Sequence, residues 1–135
     1  MSDETASKRT MDYDPMVYDV LRDTATRLGG KYIARAYRAL TADEDDRWMQ
    51  MDLDLQREVR GVDIYDEHAV RSKTAELTER YRLVAAQEKP EWDRLSDDEQ
   101  ALARQIRAAN ARGDSAEVTR LRGQPTGVTE RPDHG

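Results

Sequence analysis

The sequence predicts an all-α protein. The expected form is a small helical bundle built on an antiparallel helical hairpin (about 42–60 and 67–88) with shorter flanking helices. Three observations lead there. Apolar residues recur at three- and four-residue spacing, and no segment alternates in the manner of a strand. Periodic segments open on Asp, Ser or Thr and close on Gly or Pro. The apolar fraction, 37%, only equals the charged fraction, 37%. That balance suits helices with narrow apolar stripes and wide wetted faces.

Residues 1–12 are small, polar and aperiodic, and read as a flexible leader. Asp14-Pro15 reads as an N-cap followed by a first helical position, with Val17, Val20, Leu21, Thr24 and Leu28 at helical spacing. Gly29-Gly30 is expected to stop this helix. A second helix, 31–40, would place Ile33, Ala36, Tyr37 and Leu40 on one face and Lys31, Arg35 and Arg38 on the other.

Thr41 and Glu44 have the spacing of a capping box and open the third helix. Its stripe is Trp48, Met51, Leu55 and Val59, widened by Met49 and Leu53. Asp43, Glu44, Asp45 and Asp46 sit in its first turn, where carboxylates complement the helix dipole. Gly61 ends it, with Val62 placed to pack back. The fourth helix carries Val70, Thr74, Leu77, Tyr81 and Val84, and Lys89-Pro90 is expected to end it. Trp92 and Leu95 then fall in a connection that folds back on the hairpin. Ser96 and Glu99 form a second capping box, opening a helix over about 97–112 with Leu102, Ile106 and Ala109 inward. A last short helix holds Val118 and Leu121. The helical domain thus covers 13–122, and the Gly- and Pro-containing residues 123–135 read as a disordered tail.

Several functions are disfavoured by composition. With no cysteine, disulfides and thiolate metal sites are excluded. No apolar run approaches the ~20 residues of a membrane span, and the polar first ten residues do not resemble a secretory signal. A cytoplasmic location is expected. The net charge of −6 opposes wholesale coating of nucleic acid but leaves room for local basic patches.

The most informative patch lies between Thr24 and Ala42, where no acidic residue occurs and Arg27, Lys31, Arg35 and Arg38 do. The last three are spaced to share a helix face. One expectation is a solvated face that pairs with the acids at 43–46. The other is a surface for phosphates. A helix-turn-helix over 14–40 fits only in outline, because that face offers no Asn, Gln or Ser to read base edges.

The run Asp43–Asp46 points in diverging directions along a helix and cannot close a metal site alone. His68, near Asp66 and Glu67, has no nucleophile tied to it in the sequence, and His134 stands at the chain end. No glycine-rich phosphate loop is present. The chain is therefore expected not to be an enzyme and to need no cofactor or metal.

Trp48 falls on the main stripe and is expected in the core, while Trp92, beside Pro90, is a candidate contact residue. After residue 100 the charge inverts through Arg104, Arg107, Arg112, Arg120 and Arg122. The expected function is a non-enzymatic helical interaction or regulatory protein, of the inhibitor, antitoxin or assembly-factor kind. It would bind a protein partner, or a second copy of itself, through Tyr32, Arg35, Arg38 and Trp92. The alternative is non-specific nucleic-acid binding through Arg27, Lys31, Arg35 and Arg38.

Overall fold

The computed structural model describes residues 11–124, which form five α-helices and, among them, no strand. These are α1 (Met16–Tyr37), α2 (Ala42–Arg60), α3 (Glu67–Asp93), α4 (Asp97–Ala111) and α5 (Ser115–Arg122). The expected leader and tail, 1–12 and 123–135, lie outside the described residues except for 11, 12, 123 and 124. No described helix is long and apolar enough to cross a membrane.

Local chemistry starts and stops these helices largely as the sequence indicates. Asp14 Oδ1 accepts from Met16 N at 3.0 Å and so opens α1. The side chains of Thr41, Asp66 and Asp114 each accept from the backbone N–H three residues on. Ser96 and Glu99 complete a reciprocal capping box. Gly113, at φ +73°, takes the left-handed turn between α4 and α5 that a side chain would strain.

The expected antiparallel hairpin is present as α2 and α3, joined through 61–66. It does not form the core by itself. α1 lies along both arms, and each arm approaches α1 more closely than it approaches the other. α2 runs antiparallel to α1, bringing Trp48 to Tyr32 and Leu55 to Gly29. α3 runs parallel to α1, bringing Glu88 to Lys31 and Glu91 to Arg35. Leu21, Leu28, Tyr32, Leu55, Val70 and Leu77 form one buried cluster, on which Trp48, Val59, Tyr81 and Val84 also pack. Leu102, Ile106, Ala109, Val118 and Leu121 form a second between α4 and α5, with Leu40 packed against it.

The structure departs from the sequence reading in four places, each with a tertiary cause. First, Gly29-Gly30 does not break the chain, and the two short helices expected over 14–40 are one helix. Side chains of α2 occupy the space beside Gly29: a Cβ there would stand 2.7 Å from Asp52 Oδ1 and 3.8 Å from Leu55 Cδ2. The missing side chain buys helix–helix contact, and that contact offsets the helical cost of glycine. The helix-turn-helix outline falls with this correction.

Second, Asp52 rather than Met51 faces inward on α2. Asp52 is buried and accepts from Gln56 Nε2 at 2.8 Å, whereas Met49, Met51 and Leu53 are exposed. Third, α3 does not end at Pro90 but continues to Asp93, so that Trp92 is helical. A proline inside a helix lacks the N–H that would reach the carbonyl four residues back, and it costs ~3 kcal/mol. Ion pairs and ring contacts from α1 to Glu88, Glu91 and Trp92 hold this last turn in place. Fourth, Ala36 and Leu40 pack inward as expected over 31–40, but Tyr37 is exposed, and Tyr32 and Arg35 are buried instead.

A charged cluster ties the hairpin arms together across the edge of α1. Arg80 donates to Glu58 (Nη1 at 3.0 Å, Nη2 at 2.6 Å) and to Glu76, and Lys73 reaches Glu58 at 3.2 Å. Hydrogen bonds from Arg80 are the main reason that the Glu58 carboxyl sits below the usual carboxylate range.

The two adjacent glycines of α1 should respond in opposite directions to the same substitution. Nothing lies within 4 Å of a Cβ built on Gly30, so Gly30→Ala is expected to stabilise by about 0.5–1 kcal/mol through helix propensity alone. Gly29→Ala drives a methyl into Asp52 and is expected to destabilise by about 1–3 kcal/mol. Urea unfolding of both variants checks this, and equal, same-sign shifts would contradict the close approach.

A candidate arginine-lined pocket at the C-terminal ends of α1 and α3

Because α1 and α3 run parallel, their C-terminal turns finish at the same end of the bundle. There they meet the start of α2 and the α3–α4 connection. A pocket of ≈ 280 Å³ opens at this junction. α1 contributes Arg35, the residues just past its end contribute Arg38 and Leu40, and α2 contributes Glu44. Glu91 and Trp92 of α3, with Arg94 and Leu95 after it, close the other side.

Arg35 is the most constrained of these groups. Its side chain is 6% exposed, and its guanidinium stands 4.8 Å from the Trp48 ring, whose far neighbour is Tyr32 with ring centroids 6.0 Å apart. Arg35 Nη2 lies 2.5 Å from Glu91 Oε1, off the line of a hydrogen bond, so the pair is a Coulombic contact. Neither Nε nor Nη2 of Arg35 has a hydrogen-bond acceptor, nor does Trp48 Nε1. Buried donors left this way are costly, by about 1–3 kcal/mol each, and native interiors hold few of them.

Arg38 makes no ion pair within 4 Å among the described residues. Its guanidinium lies 5.1 Å from the Trp92 ring, and that of Arg104 lies 5.3 Å from the same ring. Burial, and then the positive charge of Arg35, hold the Arg38 guanidinium below its usual range. Arg107 adds to this repulsion, while Glu88 and Glu44 oppose it. Arg94, Arg104 and Arg107 also make no ion pair among the described residues. The end of the bundle therefore holds several arginines without ion pairs among the described residues, on a chain whose net charge is −6.

Second-helix residues singled out in the sequence separate into distinct environments. Arg35, Arg38 and Trp92 come together in the pocket. Tyr32 lies beneath it in the core, and burial pushes its phenol above the ordinary range. Lys31 is committed to Glu88 at 3.0 Å and stands over the Tyr81 ring. Arg27 pairs with Asp23 on the outer surface. Arg27, Lys31, Arg35 and Arg38 thus do not form one free basic stripe. Arg94 and Arg104 were not singled out as contact residues, and only the extension of α3 through Pro90 brings them alongside Trp92.

The acidic and histidine candidates disperse. Asp45 pairs with Arg122, Asp52 is buried against α1, and His68 is exposed with Nε2 3.5 Å from Ser72 Oγ. Among the described residues no group of three or more His, Asp or Glu side chains is placed to hold a metal ion. No family model, curated protein or solved structure matches the chain.

The C-terminal end of α1 is held in place from α4 and α5. Its last carbonyls have no partners within the helix. Arg122 Nη2 donates to Ala36 O at 3.1 Å, Arg122 Nε to Ala39 O at 2.9 Å, and Asn110 Nδ2 to Tyr37 O at 2.9 Å. Arg122 Nη1 also donates to Asp45 Oδ2 at 2.9 Å, so one guanidinium joins α5, α1 and the first turn of α2. A cation at this position also complements the negative end of the α1 dipole.

Loss of that guanidinium should undock the C-terminal pair of helices. Arg122→Ala is expected to cost about 2–4 kcal/mol, since it removes three charge-assisted bonds from a side chain only 11% exposed. Arg122→Lys, a single point charge, should recover less than half. Guanidinium unfolding measures both, and a loss under 0.5 kcal/mol for Arg122→Ala would show that the α1 terminus does not depend on this cap.

Proposed function

We propose that the protein is a non-enzymatic helical interaction module that binds an acidic segment of another protein at the end of the bundle where α1, α3 and α4 meet. One observation carries this reading: Arg38, Arg94 and Arg104 stand around Trp92 without ion pairs among the described residues, with the charge of Arg107 near Arg38, although acidic residues outnumber basic ones along the chain. Unpaired arginines beside an aromatic ring match the composition of protein-binding hot spots. Complementary charge at such a surface would raise the association rate and select among partners. The bundle supplies a rigid support, and the role that follows is regulatory, inhibitory or assembly-related.

Non-specific nucleic-acid binding is a second reading, supported by the same unpaired arginines. It is the weaker one, because Arg27 and Lys31, two of the four cations it needs, already have carboxylate partners.

Affinity capture from the native host, comparing the unmodified chain with the charge-reversed Arg104→Glu/Arg107→Glu variant, tests the leading reading. The expected result is a protein partner retained by the former and lost by the latter, whose circular dichroism should be unchanged. Retention of the same partner by both would sink the assignment to this surface. A gel shift with single- and double-stranded DNA at low salt addresses the second reading. Tight binding that falls steeply with salt would put nucleic acid first.

A further inference from the structure

We propose that the pocket between Arg35, Arg38 and Arg94 is a site for a single carboxylate carried next to an aliphatic group. Such a group is presented by the C-terminus of a partner chain or by an acidic side chain beside a leucine-like residue. The proposal rests on the reading that this end of the bundle binds an acidic protein segment, and it names the group that is read there.

Charge is the first argument. Three guanidiniums and two carboxylates line the pocket, leaving one unmatched positive charge, which a monoanion neutralises. Hydrogen bonding is the second. Arg35 is nine-tenths buried, yet its Nε lacks an acceptor and its Nη2 meets only Glu91 Oε1, off the line of a hydrogen bond, and Arg38 and Arg94 have no ion pair among the described residues. A guanidinium presents paired N–H groups in a planar fork that matches the two oxygens of a carboxylate, which makes arginine the side chain suited to such a ligand. Contact of Arg35 with Trp48 and Glu91 fixes the orientation of this fork before a ligand arrives, so little order is lost on binding.

Shape is the third argument. The ≈ 280 Å³ volume is at the lower edge of small-molecule sites and accommodates one residue rather than a chain segment. Leu40, Leu95 and Trp92 give it an apolar wall beside the cations, so a bare inorganic anion would leave that wall unmatched. Capture of a terminal carboxylate with its last side chain is a recognised mode of peptide binding.

The arginine Nε–Hε resonances of the full chain, followed by NMR at constant ionic strength, test this directly. The probes are N-acetyl-leucine, its neutral amide, the peptide acetyl-Leu-Asp-Leu-amide and inorganic phosphate. N-acetyl-leucine is expected to give saturable shifts at Arg35, Arg38 and Arg94, with Arg22 and Arg60 on the far side of α1 and α2 unmoved, and the amide is expected to give none. Arg94→Met, at an exposed position, should weaken the binding at least five-fold without altering the circular dichroism spectrum. A stronger response to N-acetyl-leucine than to the peptide assigns the carboxylate to a chain terminus. The reverse assigns it to a side chain. Equal responses to the acid and its amide, uniform shifts of all arginines, or saturation by phosphate alone would each overturn the proposal. Because the probes are small, the result is separable from partner capture. Silent arginines with capture intact remove the pocket and leave the interaction surface, and saturable shifts without any captured partner do the opposite.

Discussion

Burial of one cation, Arg35, organises this end of the molecule. An arginine almost wholly removed from water is tolerated only where its charge is answered nearby. Here Trp48 of α2 offers a ring face on one side and Glu91 of α3 a carboxylate on the other. Three helices are thereby required to meet at one register: α2 antiparallel to α1, so that Trp48 reaches the last two turns of α1, and α3 parallel to it, so that Glu91 arrives at the same level. The offset between Lys31 and Glu88 and that between Arg35 and Glu91 differ by a single residue, as two helices running side by side in the same direction require.

That arrangement explains two features that local rules disfavour. Glycine at two consecutive positions in the middle of a helix is costly, but Gly29 permits the approach of α2 that seats Asp52 and Leu55. Proline near the end of α3 is costlier still, but the turn beyond it carries Glu91 and Trp92, which α1 holds. In both cases contact between helices outweighs the preference of the segment taken alone. The same contacts expose the pocket, because the extra turn of α3 brings Trp92 and Arg94 level with Arg38 instead of leaving them in a loop.

Much of the architecture was legible in the sequence because it is written in local chemistry. The side-chain caps at Thr41 and Ser96 depend on residues within one helical turn of each other. The inward positions Leu55, Val70, Leu77, Leu102 and Ile106 follow from periodicity. What could not be read was decided by partners distant in the chain. Whether Gly29-Gly30 stops a helix depends on Asp52 and Leu55, and whether Pro90 does depends on Lys31, Arg35 and Arg38. Asp52 takes an inward place that periodicity gives to Met51, because the space beside Gly29 admits a short side chain. Of the contact candidates named from the sequence, Arg35, Arg38 and Trp92 are neighbours in the fold, but Arg35 is buried rather than presented on a solvent face. Arg104 showed only as part of the basic stretch after residue 100, and Arg94 carried no signal until the course of α3 beyond Pro90 was known.

The central claim is that α1 runs unbroken through Gly29-Gly30, since only a continuous helix brings Arg35 and Arg38 to the end of α3. Amide hydrogen exchange across residues 26–36 measures this most directly. An unbroken helix packed on α2 predicts protection at Gly30, Lys31 and Tyr32 as strong as that at Leu55 and Leu77. Rapid exchange confined to Gly29 to Tyr32, between protected flanks, would show two helices and a joint, and the pocket would have no fixed geometry.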